Sequence, residues 1–310
     1  MVCSELIGRS KPFVIRMLRS LLLVIFSIGI FSCGDLKQEA SHQRGEMRIY
    51  ADPSTKSLLE ALTQIYTMKY PEVKFDIVYK SENQVLQDLL DTVAYAAFIN
   101  QPLSEQQTRY IAQKTDVTPR STLLAYDAAI FITSVDNPVD SITFDQIRNG
   151  IFEGNNQIIF DSGNSGNFNT VKTVLGLEIP TGKSIQAEEN ARKLIDFVKK
   201  SPQSIGVIGL NEISEADNPE VKELMEGIKI ISVIDEKGVA QTPEIPNILA
   251  MNYPFFKGVY FIVREPGFGI GSGFSRFAGS NQGQLIVKRE GLQPNYLYNR
   301  EVQVNLESVE

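Results

Sequence analysis

The chain has 310 residues, 43% of them hydrophobic, and no long low-complexity tract, which suits about two soluble globular domains. Residues 1–32 carry Arg9, Lys11, Arg16 and Arg19 against Glu5, and setting that surplus of +3 aside takes the net charge from −7 to −10, so no basic face is offered to nucleic acid or anionic lipid. The only histidine is His42 and the only cysteines are Cys3 and Cys33, all ahead of the expected folded part, which excludes Ser-His-Asp, Cys-His and ordinary zinc chemistry and leaves carboxylate or lysine chemistry, or none.

The amino terminus has the layout of a bacterial export signal. A basic cluster at Arg16 and Arg19 precedes an apolar or small run at residues 21–31, too short for a spanning helix. Ile30-Phe31-Ser32-Cys33 resembles a lipobox, in which Cys33 is lipidated and becomes the first mature residue. The alternative is an ordinary signal peptide with a chance cysteine. Met17 is an alternative start. Residues 1–32 are therefore expected to be a signal peptide and residues 33–45 a lipidated, polar tether.

From residue 47 onward strands and helices alternate. Residues 47–51 form a short strand, and Asp52-Pro53-Ser54-Thr55 a turn with helix-capping residues. Leu58, Leu59, Leu62, Ile65 and Tyr66 share one helical face, and Pro71 ends that run. Val73, Phe75, Ile77 and Tyr79 alternate as a strand. Lys80-Ser81-Glu82-Asn83 then leads into a helix marked by Val85, Leu86, Leu89, Leu90 and Val93. Residues 95–99 are an apolar strand ending at Asn100-Gln101-Pro102, and Ser104 with Gln107 makes a capping box. The alternation implies a mostly parallel sheet covered by helices, whose ligands sit off the carboxyl ends of its strands. Those ends carry Ser54 and Thr55, then Ser81, Glu82 and Asn83, then Asn100 and Gln101. Such sets cap helices more often than they touch ligands, but three on one edge favour contact for some of them.

Residues 123–133 form a longer strand-like run, suited to crossing between domains. A turn at Asp136-Asn137-Pro138 and a short helix from Thr143 to about Gly150 follow. Ile158-Ile159-Phe160 then leads into Asp161-Ser162-Gly163-Asn164-Ser165-Gly166-Asn167, with a helical run at 170–175 stopping at Gly176. Strand, small polar turn and helix together aim backbone N–H groups and hydroxyls at one point, at the positive end of a helix dipole. The same residues serve simply as a cap. Residues 188–200 are a helix with Ala191, Leu194, Ile195 and Val198 inward, 204–209 a buried strand, 228–234 another, and 237–246 a loop. Residues 253–264 form a second long strand-like run. Gly267, Gly269, Gly271 and Gly273 recur every second residue, the wrong spacing for a dinucleotide loop, and read as a tight turn. A helix at 274–285 and a last strand at 302–306 complete the pattern.

Tyr79-Lys80-Ser81-Glu82-Asn83, Ala125-Tyr126-Asp127-Ala128, Ile205-Gly206-Val207-Ile208-Gly209, residues 260–266 and Gly279-Ser280-Asn281-Gln282-Gly283-Gln284 together resemble the phosphate-type periplasmic solute-binding proteins of ABC transporters, in particular a Bacteroidetes-like lipoprotein branch. The likeness covers nearly all of residues 47–306. It implies an α/β, type II periplasmic binding protein fold, with two α/β domains joined by a two-crossing hinge. Domain I would be 46–126 and 251–310, domain II 127–250, with a ligand between them. The ligand-binding residues it implies are Ser54, Thr55, Ser81, Asn100, Asn164, Ser165, Gly166 and Asn167. Asn167 stands where the family usually has Thr, and this sequence departs further at three of the family's contacts. The family's Arg, four residues before Ser165, falls on Asp161; its Asp, two residues before, falls on Gly163; and the Asp usual after the third strand falls near Asn100.

The expectation is a lipid-anchored, extracytoplasmic solute-binding protein on the periplasmic side of the cell envelope, with no cofactor and no catalysis. A phosphate-like anion would be its small-molecule partner and an ABC permease its protein partner. The alternative is a ligand-free binding-protein fold acting as an envelope interaction or scaffold lipoprotein. An enzyme with Asp161 or Glu82 as general base ranks behind both.

Overall fold

The alternating pattern is realised as a mixed sheet with helices on its faces. The computed structural model of the protein describes residues 41–152, 158–179, 184–214 and 218–296; the expected export signal, Cys33 and the strand expected at 302–306 lie outside them. β1 (Arg44–Ala51) is followed by α1 (Lys56–Lys69), β2 (Glu72–Tyr79), α2 (Glu82–Leu90) and β3 (Ala96–Ile99), and β1 lies parallel to both β2 and β3. The apolar face of α1, with Leu58, Leu59, Leu62 and Tyr66 buried, packs onto this sheet. α3 (Glu105–Thr115) opens with the expected capping box: Ser104 Oγ accepts the Gln107 N–H at 3.2 Å, and Gln107 Oε1 accepts the Ser104 N–H at 2.8 Å.

β4 (Arg120–Ser134) is the long crossing strand. After it come β5 (Ser141–Thr143), α4 (Phe144–Phe152), β6 (Ile158–Phe160), α5 (Gly166–Leu175), α6 (Ala191–Lys200), β7 (Ile205–Gly209), α7 (Pro219–Met225) and β8 (Ile228–Ile234). β9 (Ala240–Gln241), α8 (Ile245–Leu249), β10 (Phe256–Val263), α9 (Ile270–Ala278), α10 (Asn281–Arg289) and β11 (Gln293–Pro294) complete the described part. The strand order is β2-β1-β3-β10-β4-β7-β6, with β8 on β4 and with β5 and β9 on β8. The first half of β4 pairs antiparallel with β10, and its second half pairs with β7 and β8. β4 thus belongs to two sheet regions, and β10 runs beside it where they meet.

Each region has its own core. Ile130, Phe131, Phe160, Phe168, Leu194 and Val207 belong to the cluster around the second half of β4. Ile49, Leu62, Tyr66, Phe98, Phe261 and Phe274 fill one face of the first region; Val85, Leu89, Ile99, Ile111 and Ile262 fill the other. Among the described residues no helix is long and apolar enough to cross a membrane.

Several boundaries differ from the sequence pattern. β1 begins at Arg44, inside the expected tether, and His42 is already packed: its ring lies edge-on to Tyr70 and Phe268, and its carbonyl accepts the Tyr66 hydroxyl at 2.7 Å. α6 starts at Ala191 rather than 188, because Asn190 caps it through the Lys193 N–H at 3.0 Å. The expected loop at 237–246 holds β9 and the start of α8. The helix expected at 274–285 is two helices, the second capped by Ser280. The glycine run is a turn only in its first half. From Ile270 it is helix, and its glycines allow close packing: a Cβ on Gly271 would lie 2.4 Å from Val263 Cγ2, and one on Gly273 2.4 Å from His42 Cβ.

Candidate functional site: a buried carboxylate cluster around one lysine

The turns after β1, β3, β6 and β7 and the start of α2 converge on one place. Asp52 ends β1 and caps the turn behind it, its Oδ1 accepting the Ser54 N–H at 3.0 Å and the Ser54 hydroxyl. Asn100 ends β3; its N–H donates to Glu82 Oε1 at 2.7 Å and its amide Nδ2 to Ser54 Oγ at 2.9 Å. Asp161 ends β6. Its two oxygens accept the Ser165 hydroxyl at 2.8 Å and Asn167 Nδ2 at 2.7 Å, while Ser165 Oγ caps α5 by accepting the Phe168 N–H at 3.2 Å. A cavity of about 580 Å³ opens on this wall, lined by Pro53, Ser54, Asp161, Ser165 and Glu212 among others.

The expected ligand residues therefore separate. Ser54, Asn100, Ser165, Gly166 and Asn167 meet at one spot. Gly166 is a glycine of necessity, since a Cβ there would lie 2.0 Å from Asn100 Nδ2. Thr55 turns away and donates to the Asp52 carbonyl at 2.8 Å. Ser81 donates to Gln84 Oε1 at 3.1 Å, a cap contact within its own helix start. Asn164 is exposed and accepts from Asn83 at 3.5 Å.

The charges are the residues that the sequence pattern left out. Asp127 on β4 and Lys257 on β10 are directly opposed in the strand register, with Nζ 3.1 Å from Oδ2 and both side chains 2% exposed. Lys257 is the one buried lysine among the described residues, and Asp52, Glu82, Asp127 and Asp161 are all buried near it. Burial works against its ammonium, but Asp127, with Asp52 and Asp161 behind it, outweighs burial and holds its pKa above the ordinary value. Burial pushes Glu82 up, helped by Asp52 and opposed by its bonds from Asn169 and the Asn100 N–H. Burial raises Asp161 to about 6 against its bonds from Ser165 and Asn167, and raises Glu212 to about 7, with repulsion from Asp161 and Asp127 adding to it.

Polar bonds also join the two sheet regions across the cleft. Asn169 Nδ2 on α5 donates to Glu82 Oε2 on α2 at 2.6 Å and to Asn83 Oδ1 at 3.1 Å. Asn211, after β7, donates its Nδ2 to the Ser54 carbonyl at 3.0 Å and its N–H to Asp127 Oδ1 at 3.2 Å. The hydroxyls and amides on this wall already serve carboxylates of the chain. Asp161 and Glu82, the two candidate bases, are both occupied in this way.

This chemistry is hostile to an oxyanion. A like charge at about 4 Å costs roughly 4 kcal/mol at an effective dielectric of 20, whereas one charged hydrogen bond returns about 1.5–3 kcal/mol. With Lys257 already paired to Asp127, repulsion wins. Lys257 and Asp127 were legible as single charges inside apolar strand runs, an arrangement that needs a partner when buried; their pairing, between positions 130 apart in sequence, was not.

A family model described as the PBP (periplasmic binding protein) superfamily domain matches residues 37–282, and the chain belongs to that superfamily. No protein of curated function matches it by sequence. Among solved structures it is similar to a protein assigned as a phosphate ABC transporter substrate-binding protein from Clostridium perfringens, with phosphate bound (18% identity, TM-score 0.65, covering 81% of this chain and 100% of that one). It is also similar to an ABC-type phosphate transport receptor from Vibrio cholerae (16%, 0.62, 81% and 100%) and to PstS from Borrelia burgdorferi (19%, 0.53, 81% and 99%). At these identities the likeness is one of fold, and the mixed α/β fold is that of the periplasmic binding proteins.

Proposed function

We propose that the protein is an extracytoplasmic solute-binding receptor, anchored by a lipid on Cys33 and handing its ligand to an ABC permease. The observation that carries this is the cleft: polar groups from both sheet regions face each other across it, and among the described residues β4 is the strand that pairs in both regions, with β10 beside it. The two bodies that would open and close are the domains expected from the sequence, 46–126 with 251–310 and 127–250. The similar structures are named for phosphate transport, which makes phosphate or a related oxyanion the first ligand to try at Ser54, Asn100, Ser165, Gly166 and Asn167. The carboxylates at those residues argue against it.

The same carboxylates favour a second reading, an envelope interaction protein that keeps the fold without a transport ligand. Calorimetric titration of the purified, refolded protein with phosphate, sulfate, neutral solutes and amines separates the two. Binding of any one solute at micromolar affinity supports the receptor. Silence throughout, from protein that melts cooperatively, supports the interaction protein.

A further inference from the structure

The first sheet region ends on a strand with one free edge. Among the described residues β2 pairs only with β1, in parallel and without a break over all eight of its residues. Eight is long for a strand, the usual length being about five or six. The other edge offers backbone N–H and C=O groups to any strand laid beside it. Native sheets blunt such an edge with a proline, a bulge or a lysine that lacks a counter-charge. β2 contains neither proline nor bulge, and its one lysine is paired: Lys74 Nζ lies 3.4 Å from Glu46 Oε1 on β1. Asp76 is paired in the same way, its Oδ2 accepting Arg48 Nε at 2.6 Å.

Successive residues of β2 face opposite sides of the sheet. On one face Lys74 and Asp76 are exposed beside their partners on β1. On the other Val73 is buried, and Phe75 and Ile77 are half-buried. A groove of about 810 Å³ runs between these three and α1, also lined by Thr67 and by Met68, which is 71% exposed.

The edge is complementary to itself. Laid antiparallel on a second copy with Phe75 opposite Phe75, β2 sets Val73 opposite Ile77 on the apolar face and Lys74 opposite Asp76 on the charged face, each pair occurring twice by symmetry. With β1 of each copy included, both charged rows read Arg48, Asp76, Lys74, Glu46 across four strands, with alternating sign throughout. Sliding one strand by a single residue would turn apolar side chains to the charged face. Sliding it by two keeps the faces but sets Asp76 opposite Asp76 or Lys74 opposite Lys74, and like charges directly opposed are unfavourable. The charges that guard an edge against other strands thus favour one partner in one register.

We infer that the protein forms a symmetric homodimer by pairing β2 with β2 of a second copy, which joins the two sheets into one and covers the groove beside α1. None of Ser54, Asn100, Ser165, Gly166 and Asn167 lies on this surface, so the dimer holds whether or not the cleft takes a solute.

Sedimentation velocity of the purified protein over a dilution series tests it. The unaltered protein should pass from monomer to dimer as its concentration rises. Lys74→Glu and Asp76→Lys, both at exposed positions, should each weaken self-association by about tenfold or more, because each sets like charges face to face twice in the dimer. Mixed in equal amounts, the two variants should associate with each other: the new glutamate faces the new lysine, and the native Asp76 of one chain faces the native Lys74 of the other. Melting curves confirm that each variant is folded. A monomer at every concentration overturns the inference, as does a dimer that neither reversal weakens. Reversal variants that stay monomeric when mixed overturn it too.

Discussion

Two helix starts in this protein are occupied by the chain's own carboxylates, and they end up in opposite conditions. At the start of α9, Glu265 accepts the N–H groups of Gly269, Gly271 and Ser272 at 3.1, 3.3 and 2.8 Å and the Ser272 hydroxyl at 2.7 Å. That cap is assembled within one loop, and both of its oxygens are used. At the start of α5, Asp161 takes the Ser165 hydroxyl and the Asn167 amide, but Asn167 is left with an unpartnered buried oxygen, as Asn100 is beside it. A local cap finishes its hydrogen bonding at once, whereas the cap at the cleft leaves buried amide oxygens without a partner. The first stabilises a helix terminus; the second carries the cost of unmet buried polar groups.

The largest effect that sharpens this contrast is expected at Lys257. Lys257→Met leaves Asp127 buried and unpaired within the carboxylate cluster, so denaturant unfolding should show a loss of about 3–5 kcal/mol. Adding Asp127→Leu should restore much of it, which would place the loss in the uncompensated charge rather than in lost packing. Next in size is the pH dependence. Asp161 and Glu212 have native pKa values raised to about 6 and about 7, so the native state binds more protons than the unfolded chain between those values and the ordinary carboxylate range. Their contribution is therefore greatest at low pH and lost as pH rises through about 6 to 7. Unfolding free energy should fall by about 3 kcal/mol from pH 5 to pH 8, less than two independent groups would give, since the two carboxylates repel each other. In Asp161→Asn the fall should shrink.

Gly166→Ala tests the close approach across the cleft. The added methyl meets Asn100, so the protein should lose about 1–3 kcal/mol and should scatter X-rays as a more open particle if the two regions separate to relieve the clash. The smallest effect is at the contrasting cap: Glu265→Gln should cost about 1 kcal/mol in thermal unfolding and leave solute binding unchanged. A change in solute binding there would break the distinction between the two carboxylates.

Much of the fold was legible because its signals are local. The Ser104–Gln107 capping box, the inward face of α6 and the long run that became β4 follow from spacing within a few residues. The short elements β5, β9, α7 and β11 carry too few residues for a period to show. Of the residues expected to touch a ligand, Ser54, Asn100, Ser165, Gly166 and Asn167 lie together in the structure. Ser81 and Thr55 do not join them, because a nearer acceptor, Gln84 or the Asp52 carbonyl, wins each hydroxyl. The donors' commitment to carboxylates is a matter of three-dimensional contact, as with Asn169 and Glu82, which bond across the cleft from positions 87 apart. That Asp161 stands where the resemblance implies an Arg was visible in the sequence; that Asp161 would claim Ser165 and Asn167 for itself was not.

The central claim is that the chain's own carboxylates hold the donors an oxyanion would need. Calorimetric titration of the refolded protein with phosphate at pH 8 tests it most directly. The account predicts no binding up to millimolar phosphate, and gain of phosphate binding, if anywhere, in Asp161→Arg. Micromolar binding of phosphate by the unaltered protein would contradict it, because Ser54, Ser165 and Asn167 would then have to leave their carboxylates for the ligand.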